Sequence, residues 1–568
     1  MASLRRSLPL VVALFPALAA AQDADLIVLG SRAWTGDSLR PFAEGVAVVG
    51  RHILAVGTRD AVLAHRGPRT RVVDLPAGFV APGFIDNHTH FNQAGALLLG
   101  VNLLDVADAP GLVRRVREAR DRLPEGAWLV GGDWGAYEAW AQGSTGRDTA
   151  GTRAPFAPHR DLIDSLTADT PVLLSKWDRS AYVANGRALA LAGVRCDWPG
   201  VECQDGRPTG RLTPPAATRV RSAMPPKAMA QRLAEARAAL GQLREFGVTT
   251  IHDNTPPEQF EVYAELRRRG ELTTRVYARP TLDKWDALRA VGIRHGFGDD
   301  WLRIGGLKGF VDGIMGNSSA RFYEPYRTSG ERGSWRTMME PPGNLERLLL
   351  GADSAGHWPQ VHAIGDEAID TLLTLYERVI AANGPKERRF RVIHVQVLRG
   401  PEVAQRMARS GILAEVQPYH AIDDMRWMEQ RIGDRARWAY AFRTLQDAGV
   451  LLSFGSDWPG TNASWYPANP VLGIYAAVTR QTLEGTPAGG WFPEERVDVE
   501  TALRAYTVNT AWAAGEENVK GRLTPGLLAD LVVLDGDPLL IAPTRLKDLR
   551  AILTVVDGQV VYDGQGVR

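Results

Sequence analysis

One phrase recurs along this chain: an amphipathic helical stripe, a glycine, a short apolar run and then a polar residue. Lys227–Glu245 carries Met229, Leu233, Ala236, Leu240 and Leu243 at spacings of four and three, the stripe of a helix with one buried face. Gly247 closes it, and Val248-Thr-Thr-Ile-His252 follows as a strand. The phrase returns as Pro401–Ser410, Gly411, Ile412–Val416 and Gln417, and again as Thr444–Ala448, Gly449, Val450–Phe454 and Asp457. Glycine just past a helix end takes the left-handed backbone cheaply, which permits the turn into the next strand. Apolar runs of this kind begin near Phe84, Val248, Thr274, Leu302, Gln360, Arg391, Ile412 and Leu451. Eight βα units predict an α/β fold, a (β/α)8 TIM-like barrel whose chemistry sits at the C-terminal ends of its strands.

The remaining segments are organised around that barrel, expected over residues 81–517. The stretch from about 92 to 246, between the first and second strands, is too long for one crossover. It contains strand-like Ala127–Gly131 and Pro171–Ser175 and is expected to form an inserted subdomain over the barrel mouth. Both ends of the chain are β-rich, with Gly50-Arg51 and Asp557-Gly558 as hairpin turns. Residues 22–80 and 518–568 are therefore expected to build one small β-sandwich together.

The first 21 residues have the pattern of an export signal. Arg5 and Arg6 precede the apolar run Leu8–Ala20, which is too short to span a bilayer, and Ala19-Ala20-Ala21 offers a cleavage site. The mature chain is expected to start at about Gln22, in the periplasm or secreted, by the Sec or the twin-arginine route. A net charge of +1 gives no reason to expect a nucleic-acid partner, and no later stretch reads as a membrane anchor. Cys196 and Cys203 flank a turn-rich hexapeptide, the arrangement of a structural disulfide in an oxidising compartment.

The polar residues at the strand ends carry the chemistry. Strand one delivers Asp86, His88 and His90 in alternation, so both imidazoles project from one face. Two neutral imidazoles on one wall can bind a divalent transition metal. Lys308, His362, His394 and Asp457 end strands four, five, six and eight at the same rim.

Pro82-Gly-Phe-Ile-Asp86-Asn-His88-Thr-His90, Lys308-Gly-Phe-Val-Asp312-Gly, Val361-His362-Ala-Ile-Gly-Asp366, His394 and Gly455-Ser-Asp457 together resemble the amidohydrolase superfamily, within it the amidohydrolase-3, YtcJ-like branch. The likeness extends to Gly521–Gly526 and Ala529–Leu534. It implies that His88, His90 and Asp457 hold one Zn2+ ion and that His362 and His394 hold a second, with Lys308 bridging both if carboxylated. One or two ions, and another divalent metal in place of zinc, stay open. An ordinary ammonium at Lys308 would repel a metal, and an ion pair with Asp312 or Asp366 is its alternative role.

The implied reaction is hydrolysis of a C–N, amide-type bond in a small-molecule substrate by metal-activated hydroxide, with Asp457 as general base and then acid. An ester or cyclic substrate, deamination, or a barrel that binds without turnover are the competing readings. Gln417, His420, Trp458 and, in the insert, Ser180 are expected to face substrate, and His252 to pack or to support the ligands from behind. Relatives often aim a histidine at the substrate where Ser180 stands. That departure leaves the metal set intact and argues against an N-formyl amide as the default substrate. Relatives often form dimers, so a homodimer is the expected assembly. Mass spectrometry of protein recovered from the periplasm or medium is expected to place the N-terminus at Gln22; an intact Met1 leader there would contradict the signal.

Overall fold

The computed structural model describes residues 22–104, 106, 108–135, 156–177, 179–460 and 466–566; the expected leader lies outside them. Eight parallel strands form the central barrel: Phe84–Thr89, Val248–Asn254, Arg275–Arg279, Leu302–Ile304 continued by Leu307–Phe310, Pro359–Ala363, Arg391–His394, Leu413–Val416 and Leu452–Phe454. The fourth strand is broken at Gly305-Gly306. A Cβ on Gly305 would run into the ring of Tyr277, and one on Gly306 into the side chain of Gln360. Interior side chains thus demand glycine there, and the break divides the ladder into sheets of four and five strands. Parallel bridges Thr281–Lys308 and Thr89–Trp458 join the two sheets into a closed ring.

The terminal segments form one hydrogen-bonded sheet of seven strands. Its order is Gln559–Asp563, Ala551–Val556, Leu531–Leu534, Arg66–Pro82, Ala24–Trp34, Phe42–Val49, His52–Gly57. The sheet curls until its ends meet. His52 bridges Leu528, and the Ala529 amide donates to Arg51 O. Val46, Val48 and Ile53 from one end share a core with Leu531, Val533 and Val555 from the other. The sandwich is therefore a single sheet folded over itself. Its long strand Arg66–Pro82 leads through Gly83 directly into the first barrel strand, and the Gly83 amide donates to Asp530 O.

The insert holds a five-stranded sheet, in the order Leu129–Trp134, Val172–Lys176, Tyr182–Ala184, Arg207–Leu212, Val201–Gln204. Cys196 and Cys203 are disulfide-bonded within it. The chain returns to the barrel through the helix Met229–Glu245, which lies against the helix Phe91–Leu99. Gly95 is needed at that crossing, because a Cβ would strike Glu235 O. Among the described residues, no helix is long and apolar enough to cross a membrane.

A buried ion pair locks the barrel to the terminal sheet. Arg275, on the third barrel strand, donates from Nε and Nη2 to both carboxylate oxygens of Asp530 at 2.7 and 2.9 Å, and from Nη2 to Asp557 at 2.8 Å. Removing one partner of such a pair strands the other charge in a low-dielectric interior. Asp530→Asn is expected to destabilise the protein by about 3–5 kcal/mol in denaturant titration, and a loss under about 1 kcal/mol, the range of exposed pairs, would show that Asp557 alone holds the joint.

Candidate metal centre

The site is assembled at the seam where strand one meets strand eight. Asp86 Oδ1 accepts from the amides of His88 and Ser456 at 3.0 and 2.9 Å, and Oδ2 accepts from the Ser456 hydroxyl at 2.5 Å. Burial pushes the Asp86 carboxyl up to about 6, even against those hydrogen bonds. The Asp457 amide donates to His88 O at 2.8 Å and the His90 amide to Trp458 O at 2.7 Å. Asp457 and His394 both adopt left-handed backbone, with φ of 57° and 78°. For non-glycine residues this conformation is costly and is tolerated where the surroundings enforce it.

The seam brings His88 Nε2 and His90 Nε2 to 3.4 and 3.1 Å from Asp457 Oδ1. Among the described residues two groups of three donors converge: His88, His90 and Asp457, and His394, His420 and Asp457, each with its ligand atoms within 4.8 Å of one another. The His362 ring lies 4.6 Å from that of His394, but its Nε2 faces Gly313 O at 2.9 Å and Asp312 at 3.4 Å. Among the described residues His362 belongs to neither group. Lys308 Nζ lies 3.5 Å from His88 Nε2. Asp312 and Asp366 do not pair with it; they accept from backbone amides of Arg321, Ile364 and Gly365, and of Tyr323.

Electrostatics favour donor atoms free of protons. Burial, reinforced by the charge of Lys308, holds the His88 imidazole well below its ordinary value. Burial and the neighbouring His362 do the same to His394. Burial opposes the charge on Asp457, yet His88 and His90 outweigh it and keep the carboxyl well below its usual range. Lys308 is brought down to about 7 by burial and then by the Arg279 guanidinium, against the pull of Glu415 and Asp457.

Of the side chains expected to face substrate, Gln417 and His420 reach the centre. Gln417 Oε1 accepts from His394 Nδ1 at 2.7 Å, so it also orients a donor. His420 Nε2 lies 3.3 Å from Ser456 O and 3.9 Å from Asp457 Oδ2, with its ring stacked on Tyr466 at 3.8 Å. Trp458, also expected to face substrate, is a correction: it is fully buried in the core beside Phe91 and Ala94. A large apolar ring gains more from burial in that cluster than from a place at a polar rim. Ser180 is exposed on the turn between Val172–Lys176 and Tyr182–Ala184, unlike the buried donors.

Three further groups had not been singled out. Asn254, ending strand two, places Nδ2 at 3.0 Å from His88 Nε2 and 3.3 Å from His90 Nε2. Its only signal is position, two residues beyond His252 on the same face of the strand. Glu415 accepts from His88 Nδ1 at 2.8 Å, flanked by Arg279 and Arg391. A charge inside an apolar strand was the available signal, since unpaired charges are rarely buried. Asp424 is buried, four residues after His420, and receives Gln396 Nε2 at 2.6 Å and the Tyr440 hydroxyl at 2.5 Å. Burial, then the charge of Asp423, pushes its carboxyl up to about 8.

A closed ring of parallel strands that gathers imidazoles and a carboxylate at its C-terminal rim defines the class of barrels built to hold a metal there. Residues 71–562 match the model described as the Amidohydrolase family, and the chain belongs to that family. It is 33% identical over 90% of its length to Protein LONG AFTER FAR-RED 3 of Arabidopsis thaliana, covering 87% of that protein. It is 29% identical to a Bacillus subtilis (strain 168) protein named as the amidohydrolase YtcJ, over 87% of this chain and 91% of that one. It is 26% identical to N-substituted formamide deformylase of Arthrobacter pascens, over 96% and 99% of the two chains. Among solved structures, an uncharacterized metal-dependent hydrolase from Pyrococcus furiosus superposes with a TM-score of 0.71 at 26% identity, over 90% of this chain and 99% of that one.

Asp424 supplies a pH test of the inner wall. A carboxyl raised in the folded state stabilises the fold below its unfolded value near 4, and that contribution is lost as pH rises through about 8. Asp424→Asn keeps a neutral acceptor for Gln396 and Tyr440. It is expected to raise the thermal midpoint relative to wild type at pH 8.5 and to leave it nearly unchanged at pH 4, measured by calorimetry. A midpoint lower than wild type at pH 8.5 would mean that the ionised carboxylate stabilises the fold, so that its pKa is not raised.

Proposed function

We propose that this chain is an exported zinc hydrolase that cleaves an amide-type C–N bond of a small molecule. The observation carrying the reading is the convergence of His88 Nε2 and His90 Nε2 on Asp457 Oδ1 at a barrel rim. The donors suit zinc, being imidazole nitrogens, that of His88 held well below its ordinary value by burial, beside a carboxylate kept below its usual range. Two buried polar atoms at the site, Asn254 Oδ1 and Gln417 Nε2, have no protein partner, and each belongs to a side chain touching these imidazoles. Buried polar atoms are seldom left unpaired, so the pair supports a site made for a bound group. Membership of the Amidohydrolase family, and likeness to an enzyme named for deformylating N-substituted formamides, support C–N cleavage. Export rests on the Arg5-Arg6 leader and its apolar run.

His88, His90 and Asp457 would hold one ion, and His394, with His362, a second if one is bound. A divalent metal there supplies an acidified water and a polarised carbonyl. Asp457, ionised and buried, takes a proton at Oδ2 and returns it to the departing nitrogen. Lys308, with its ammonium brought down to about 7, is substantially a neutral amine at neutral pH, the form that reacts with carbon dioxide to become a carbamate. Gln417 Nε2 and His420 line the substrate side.

The test is metal analysis of the purified protein together with a panel of amides, esters and cyclic amides. Zinc at one or two equivalents and turnover of an amide are expected; turnover confined to esters or cyclic substrates would shift the substrate class. Asp457→Asn should lower kcat by about 10²–10⁴-fold while the fold survives in circular dichroism. Wild-type kcat in that variant would remove Asp457 from the reaction.

A further inference from the structure

We propose that Glu415 is a positioning residue for the metal centre, fixing the ring of His88 and holding its proton on Nδ1. The inference rests on reading His88 as a ligand. Strand seven places Glu415 and Gln417 two apart, so both project to the same face. Each accepts from the Nδ1 of one histidine, Glu415 from His88 and Gln417 from His394. The two acceptors are not equivalent. An amide can present either its oxygen or its nitrogen, whereas an ionised carboxylate only accepts.

Two guanidiniums keep Glu415 in that acceptor-only state. Arg279 Nη1 donates to Oε1 at 2.7 Å and Arg391 Nη1 to Oε2 at 2.9 Å. All three side chains are fully buried. The ring nitrogen 2.8 Å from Oε1 must therefore donate, which leaves the Nε2 lone pair free. On that side the nearest neighbour of Nε2 is a donor, Asn254 Nδ2 at 3.0 Å, with Asp457 Oδ1 at 3.4 Å and Lys308 Nζ at 3.5 Å beyond it.

Folding alone does not call for this cluster. Buried ion triads are often no more stabilising than apolar residues of equal volume, and the other strand-seven residues, Leu413, Ala414 and Val416, are apolar. Nor are the guanidiniums idle elsewhere. Arg391 also reaches His252 Nδ1 at 3.0 Å and Ala513 O at 2.8 Å, and Arg279 reaches His252 O at 3.0 Å. The clamp thus ties the rotamer of His88 on strand one to strands two, three, six and seven. A fixed ring pays its ordering cost before metal arrives, and a carboxylate on the far nitrogen makes Nε2 a stronger ligand.

The test measures Zn2+ affinity by chelator competition on wild type, Glu415→Gln and the double variant Glu415→Gln/Arg391→Met. The double variant removes one charge of each sign, so the cluster keeps its net charge and the fold is expected to be restored if the single variant loses it. Both variants are expected to bind Zn2+ about 10–100-fold more weakly. A folded variant that binds Zn2+ as tightly as wild type overturns the inference and leaves the metal reading standing. Wild type that binds no Zn2+ overturns the metal reading itself. If neither variant folds, ¹⁵N-histidine spectra of the wild-type apoprotein decide: His88 protonated at Nδ1 supports the inference, and protonation at Nε2 overturns it.

Discussion

The hydrogen bonds of Asp86 close the barrel and build the site in one stroke. One carboxylate oxygen ties the His88 amide to the Ser456 amide, and the other takes the Ser456 hydroxyl. These bonds join the first strand to the last, chain segments about 370 residues apart, at the point where closure is topologically hardest. Asp457 follows Ser456 directly, so the same seam that seals the ring presents its carboxylate to His88 and His90. The left-handed backbone of Asp457 is the local cost of that presentation, and the seam's hydrogen bonds hold it.

Beneath the rim, the barrel interior is a charged and polar column. Arg279, Arg391 and Glu415 form its centre, and Gln360, Tyr277 and His295 continue it downward through hydrogen bonds of 2.9 and 3.3 Å. A core optimised for stability would contain branched aliphatics. Here two arginines face one glutamate. Burial first, and then the Arg279 guanidinium, make a charged Lys308 expensive at the rim, while Glu415 opposes them. The column thus adds to what burial does to the side chain above it.

The strand positions were readable because each βα unit writes itself locally, through a stripe, a glycine and an apolar run. All eight barrel strands begin within a residue of the positions that pattern marks. The residues expected as metal donors stand out for the same reason, since each ends a strand. What escaped depends on pairing across the ring. Nothing near Asn254 announces that it will face two histidines from another strand. Glu415 was visible as a charge among apolar neighbours, but its partners lie 24 to 327 residues away. Trp458 adjoins Asp457 in sequence but packs beside Phe91 and Ala94 in the core, and adjacency along the chain carries no signal of that. The glycine break in strand four and the curling of the terminal sheet likewise follow from what crosses the interior, not from local propensity.

This division explains why family came easily and substrate did not. The donors sit on strand ends whose positions the ring enforces, so the chemistry they perform is fixed by architecture. Other material stands beside the donors: the helix after strand seven brings His420 to Asp457, and Tyr466 beyond strand eight stacks on that histidine. Such segments vary without disturbing the barrel, which is how one fold serves many reactions. Ser180 makes the point, exposed on a turn of the insert while His88, His394 and Asp457 are buried. Gln417 stands between the two regimes. Its oxygen is committed to His394 by the geometry of strand seven, while its nitrogen remains a buried donor without a protein partner. A side chain divided in this way has one end fixed by the barrel and the other open to whatever occupies the centre, so the ring enforces the first and leaves the second to the segments around it.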